Sequence, residues 1–173
     1  MKRLYFIRHG QSEFNVAQKF AGRTDTILTT NGQKGALQAG KDNKGIAIDI
    51  IIASPLSRTL ETAKLFAKGA GLPEAIIQTN PLLIERDFGS LENTPWTPEK
   101  SHNMYNDDLP EGVERWDDMV ARSQQLLDYV NSLPVDNVLI VGHGGSGRAL
   151  RSLVEPEADL HAGIPNTELV RWI

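Results

Sequence analysis

Asn137-Val138-Leu139-Ile140-Val141-Gly142-His143-Gly144-Gly145 is a nearly unbroken apolar run that delivers a histidine into a glycine-rich turn. A short β-branched run without polar alternation reads as a strand covered on both faces, as in a parallel sheet between helices. Arg3-Leu4-Tyr5-Phe6-Ile7 has the same character, and Arg8-His9-Gly10 follows it at once. Working outward, Asp49–Ala53 and Ile76–Thr79 read as further strands and Leu169–Trp172 as a weaker edge strand. Helical patterns lie between them at Gly32–Lys41, Pro55–Ala70, Val113–Ser132 and Gly147–Leu153. This alternation predicts an α/β fold, a three-layer sandwich with a mainly parallel central sheet flanked by helices.

Local signals refine the helices. Ser54 is expected to cap the second, with Pro55 at its first position and Arg58 in its first turn. In the third, Trp116, Met119, Val120, Ser123, Leu126, Leu127 and Val130 recur at steps of three and four, a core-facing stripe that stops before Pro134. Phe88–Gly112, with Pro95, Pro98 and Pro110 among Asn, Asp and Thr, reads as an irregular insertion of the kind that covers a site.

The 173 residues fit one domain, 1–173. Lys and Arg number 18 against 22 Asp and Glu, so no broad basic face is expected and nucleic acid is not an expected partner. Cysteine is absent, which excludes thiol nucleophiles, disulfides and Cys-based metal sites and fits a cytoplasmic protein. The start has only four apolar residues, Leu4 to Ile7, before Arg8, and no run approaches the roughly 20 that a membrane span needs, so no membrane partner is expected. No feature of the sequence sets an oligomeric state.

Four constellations could carry chemistry. Arg8-His9-Gly10-Gln11-Ser12-Glu13-Phe14-Asn15 and Gly142-His143-Gly144-Gly145 each follow a strand, at the end where ligands of open α/β sheets bind. Ser54-Pro55-Leu56-Ser57-Arg58 puts a cation at a helix start, where free amides already favour anions. Glu85-Arg86-Asp87-Phe88-Gly89 brings acids to the entrance of the insertion. Each also has an ordinary reading. A lone strand-end histidine is usually a hydrogen-bonded structural residue, Asn15 suits a helix cap, Glu85 an exposed charge, and Arg58 opposes the helix dipole unless a partner compensates it. Two histidines at matched strand ends outweigh those readings.

Together these residues resemble the histidine phosphatase superfamily, which includes the cofactor-dependent phosphoglycerate mutases. Arg8-His9-Gly10 with Asn15 is similar to the signature triplet and its following Asn, and Phe20-Ala21-Gly22-Arg23-Thr24-Asp25 to the next block. Ser54 to Ala63 looks like the block of the second phosphate-binding Arg, Glu85 with Gly89 the acid-bearing block, and Gly142-His143-Gly144 the second-His block. The resemblance implies a phosphoglycerate mutase-like fold and metal-independent hydrolysis of a small phosphate ester, with no cofactor. It makes His9 the nucleophile that carries a phosphohistidine, Arg8, Arg58 and His143 the phosphoryl cage, Asn15 and the Gly144 amide further donors, and Glu85 the general acid and base. Asp87 is the substitute for Glu85, and Arg23 and Arg86 would meet the group that bears the phosphate.

Alternatives are a mutase and a phosphate-binding module without turnover. A mutase needs extra cations over the site, whereas Glu92–Gly112 offers Lys100 and His102 against Glu99, Asp107, Asp108 and Glu111. A binding module needs neither His9 nor Glu85. The glycines from Gly142 to Gly147 mimic a nucleotide loop, but Arg148 stands where Lys is required and Ala149 where a hydroxyl must hold Mg²⁺. His9, His102, His143 and His161 lack the spacing of helical zinc motifs, and no G-x-S-x-G elbow occurs.

Overall fold

The computed structural model describes residues 2–106 and 108–173; Met1 and Asp107, the latter one of the insertion's acids, lie outside them. Five strands, β1 (Arg3–Arg8), β2 (Ile50–Ala53), β3 (Ile77–Thr79), β4 (Asn137–Gly142) and β5 (Leu169–Arg171), form one sheet in the order β3-β2-β4-β1-β5. All neighbours are parallel except β5, which runs antiparallel along the edge of β1. The helices are α1 (Glu13–Val16), α2 (Thr30–Asp42), α3 (Ser57–Ala70), α4 (Pro98–Asn103), α5 (Trp116–Ser132) and α6 (Gly144–Val154). The α/β sandwich expected from the sequence is the fold observed.

Strand alternation divides the core in two. Ile50, Ile52, Val138 and Ile140 pack with Leu126, Leu127, Val130 and Leu150 of α5 and α6. Ile51, Ala53, Leu139 and Val141 point the other way, onto Ala39 of α2 and Ala63, Phe66, Ala67 and Ala70 of α3. A period of two places successive side chains on opposite faces, and both faces are covered, which is why these strands carry so few polar residues.

Three expectations change. α3 begins at Ser57, not Pro55, and Ser54 does not cap it. Ser54 is fully buried and its Oγ lies 2.8 Å from His143 Nε2, while Asp25, from a distant loop, accepts from Ser57 N (2.9 Å) and Oγ (2.6 Å) and so serves the helix start instead. α6 begins at Gly144, so the glycine-rich turn is the first turn of a helix. The insertion is only partly irregular: Thr97 accepts from Lys100 N (3.2 Å) and Pro98 takes the first helical position of α4, while Phe88 and Val113 bridge its base.

α2 and α3 meet where Gly40 faces Gly69. A methyl at Gly40 would lie 2.2 Å from the Phe66 carbonyl oxygen, and one at Gly69 2.3 Å from that of Leu37. The helices can approach this closely only without side chains there. Gly40→Ala is therefore expected to cost about 1–3 kcal/mol, read as a lower Tm or urea midpoint, because overpacked backbone must shift. Gly35→Ala, where the methyl meets nothing closer than 3.4 Å, is the control and should be neutral or stabilising.

Candidate active site

Register brings the two histidines together. β1 and β4 pair with Arg8 opposite Gly142, and His9 N donates to Gly142 O at 3.0 Å, so both strands end side by side. The His9 and His143 rings stand edge to face, 5.3 Å between centroids. His9 is fixed further by Asn166, whose Nδ2 donates to its carbonyl at 2.7 Å. The His9 ring is 2.7 Å from Gly10 O through Nδ1. A carbonyl only accepts, so Nδ1 carries the hydrogen and Nε2 keeps the lone pair. Burial, then the charges of Arg8 and Arg58, push His9 well below the ordinary histidine value; burial with Arg58, His9 and Arg8 does the same to His143. Both rings are accordingly neutral bases at neutral pH.

Arg58 is buried at 1% exposure in the first turn of α3. The compensating partners are backbone carbonyls: Nη1 donates to Thr24 O (2.8 Å) and Nη2 to Gly22 O (2.6 Å). Glu92 holds that loop in place, accepting from Arg23 N, Thr24 N and Thr24 Oγ1. Arg8 donates through Nη1 to Ile164 O (2.8 Å). Burial lowers the pKa of both guanidiniums, with Glu85 opposing the shift. Arg8 Nε, Arg58 Nε and His143 Nδ1 are buried without any hydrogen-bond partner among the described residues. Buried polar atoms are rarely left so, and the two guanidinium Nε–H donors beside His9 need an acceptor from outside the chain.

Glu85 is buried, and its carboxylate sits on the start of α6. Oε2 accepts from Gly145 N (3.0 Å) and Oε1 from Ser146 N (2.9 Å) and Arg86 N (2.8 Å). A Cβ at residue 145 would stand 2.5 Å from Oε1, so only glycine permits this seat. The acid thus occupies the two amides that follow Gly144, whose own amide the resemblance offers to an external anion. Gly144, ahead of them, remains on the cavity wall.

Arg8, His9, Asn15, Arg58, Glu85 and Gly144 line one open cavity of about 320 Å³; His143, its ring against that of His9, is not on the wall. Asn15 combines its two readings: Oδ1 accepts from Ser12 N (3.0 Å) in the cap of α1, which leaves its amide nitrogen as the donor on offer. Arg23 and Arg86 do not line the cavity. Arg23 is half exposed between Asp87 (3.7 Å) and Glu114 (3.6 Å). Arg86 is buried and donates to Met104 O and Glu114 O, tying the insertion to the body. Asp87 accepts from Gly89 N at 2.8 Å and lies off the cavity, so of the two acids Glu85 is the one on it.

Sequence reasoning missed Lys19, Arg148, Trp96, Ser101 and Asn166, all on the wall. Arg148 had a legible signal, since it stands four residues after Gly144 and so on the same helix face. Lys19 and Trp96 had none, being joined by a bridge between Lys19 and Pro95 that links distant loops.

Residues 4–171 match the family model of the Histidine phosphatase superfamily (branch 1). The chain is 33% identical to an uncharacterized phosphatase, PhoE, of Bacillus subtilis (strain 168), over all of this chain and 84% of the relative. It is 34% identical to the 2,3-bisphosphoglycerate-dependent phosphoglycerate mutase of Bradyrhizobium sp. (strain ORS 278), over 94% of this chain and 88% of that one. Among solved structures, a mycobacterial glucosyl-3-phosphoglycerate phosphatase in complex with VO3 superposes with a TM-score of 0.85 at 24% identity, covering 99% of this chain and 92% of that one. A match that runs from β1 to β5, with relatives a third identical along that length, places this protein in the histidine phosphatase superfamily.

Proposed function

We propose that the protein is a phosphomonoester hydrolase that works through a phosphohistidine on His9. The observation that carries this reading is the pair of buried, unpartnered guanidinium donors, Arg8 Nε and Arg58 Nε, on the cavity wall with a neutral His9 whose Nε2 holds the lone pair. A phosphoryl group supplies the missing acceptors. Nε2 attacks phosphorus while the P–O bond to the alcohol breaks; the electron pair leaves with that oxygen, which takes a proton from Glu85. Water then attacks the phosphohistidine, Glu85 accepts its proton, and the P–N bond returns its electrons to Nε2. Arg8, Arg58 and His143 stabilise the charge spread over the equatorial oxygens in both steps.

The wall is cationic, Arg8, Arg58, Arg148 and Lys19 against the single carboxylate of Glu85, a poor donor set for a divalent ion and a good one for a phosphate. That lining supports metal-independent chemistry. The insertion adds no cation to the wall, which favours hydrolysis over mutase action; Lys19 and Arg148, from outside the insertion, are the cations there that a mutase would have to use. Lys100 donates to Pro95 O, and His102 stacks on His161 at 4.3 Å. The likeness to mutases is tested alongside.

The experiment is phosphate release by the purified protein from a panel of phosphomonoesters in the presence of chelator. Full activity in chelator, competitive inhibition by orthovanadate and slow isomerisation of 3-phosphoglycerate with its bisphosphate primer are the expected results. Activity that chelator removes and only zinc or magnesium restores would overturn the reading. Vanadate binding with no ester cleaved would leave a phosphate-binding module, and rapid isomerisation a mutase.

A further inference from the structure

The chain has three tryptophans, and two are spoken for. Trp172 stacks on Phe6 at 4.5 Å and Trp116 packs edge to face with Tyr105 at 4.8 Å. Trp96 has no ring partner among the described residues, is 41% exposed, and lines the cavity that holds His9. Looseness of the insertion does not explain that exposure. Trp96 N donates to Gln18 O at 2.7 Å, Phe20 N to Thr94 O at 3.0 Å and Asn93 N to Phe20 O at 2.8 Å, so the backbone on its N-terminal side is stitched to residues 18–20. Lys100 Nζ adds a bond to Pro95 O. An indole carried on a backbone held at these points, yet left 41% exposed on the wall of a cationic cavity, presents apolar area that folding does not bury.

Phe14, Phe20 and Phe88 line the same cavity, the last two with rings 5.0 Å apart. The cavity therefore combines a phosphoryl cage with an aromatic wall, and Gln18, Lys19 and Ser101 supply polar groups beside it. Resting on the hydrolase reading above, we propose that Trp96 is a specificity-determining platform and that the substrate is the phosphate of an alcohol carrying a ring with an apolar face, which packs against the indole. Aromatic rings and the carbon–hydrogen face of a sugar share that chemistry, and offset contact with an indole favours both. A small acyclic alcohol leaves the indole wet and gains nothing from it.

The test compares kcat/KM for benzyl phosphate, glucose 6-phosphate and propyl phosphate, all esters of primary alcohols, so that the ring rather than leaving-group acidity varies. The wild-type protein should prefer at least one ring ester over propyl phosphate by roughly ten-fold or more, the scale of covering a ring with an aromatic wall. Whichever ring ester leads identifies the source as aromatic or sugar. Trp96→Ala should bring that ratio close to one, and Trp96→Phe should restore most of it. Ratios near one in the wild-type protein would overturn the proposal, as would a Trp96→Ala loss shared equally by all three esters. Trp96→Leu replaces the Ala variant if that one does not fold. Calorimetric titration with benzylphosphonate and propylphosphonate, which have no ester to split, reads the aromatic preference without turnover. A protein that binds benzylphosphonate more tightly through Trp96 yet hydrolyses nothing keeps the platform and loses the hydrolase reading. Equal affinities for the two phosphonates, with no preference for the sugar ester, overturn the platform.

Discussion

His9→Ala is expected to abolish turnover, by about 10⁴-fold or more, because no other group near the cage can accept the phosphoryl group. His143 is fully buried and has Nε2 against Ser54, so it cannot substitute. Rapid quenching of the wild-type protein with a labelled ester should trap an adduct that is acid-labile and alkali-stable, as a phosphoramidate is, and His9→Ala should show none. Label on Ser12, Ser57 or Asp87 would overturn the mechanism. The pH profile carries the same argument. In the proposed mechanism the neutral ring is the nucleophile, and burial with two flanking guanidiniums holds His9 well below the ordinary value. Its loss by protonation is therefore displaced downward, and the acid limb of kcat/KM should fall below pH ~6.5, where an unperturbed histidine would place it. A limb at or above that pH would mean that His9 is not held neutral by its surroundings.

Glu85→Gln should separate leaving groups. In the first turnover it should hardly slow phosphoenzyme formation from an aryl phosphate, whose phenolate departs without a proton. From an alkyl phosphate the loss should be about 10²–10⁴-fold, the usual worth of general acid assistance. The measurement must be a rapid quench of that first turnover, since the proposed mechanism also gives Glu85 the water step and steady-state rates merge the two. Equal slowing with both esters would mean that Glu85 only positions the cage, a real alternative given its three backbone donors on α6 and at Arg86. Asp87→Asn should show no leaving-group dependence, because Asp87 lies off the cavity beside Arg23.

What the sequence made legible and what it concealed divide along a physical line. Strand-end histidines, the Arg58 position and the core stripe of α5 are local patterns, and Met119, Ser123, Leu126, Leu127 and Val130 are indeed buried. The errors arise where a tertiary partner replaces a local one. Ser54 reads as a cap until His143 takes its hydroxyl and Asp25 serves the helix instead. Glycines 144 and 145 read as a turn because glycine disfavours helix, yet the Glu85 carboxylate from another segment holds the first turn of α6. Arg86, next to the acid, reads as a substrate ligand, but its neighbours Met104 and Glu114 are far along the chain and draw it inward. No periodicity reports such contacts.

The pairing of β1 with β4 also sets when the site can exist. These strands come from an early and a late stretch of the chain, and His9 and His143 become neighbours only when they lie in register. Until β4 docks, β1 lacks its parallel partner and His9 lacks His143 beside it. Loop closure over so much sequence is among the slow steps of folding, so recovery of phosphoryl-transfer capacity would report completion of the central sheet rather than collapse of the chain. On the ribosome a chain too short to have released β4 would hold His9, Arg8 and Arg58 but not His143.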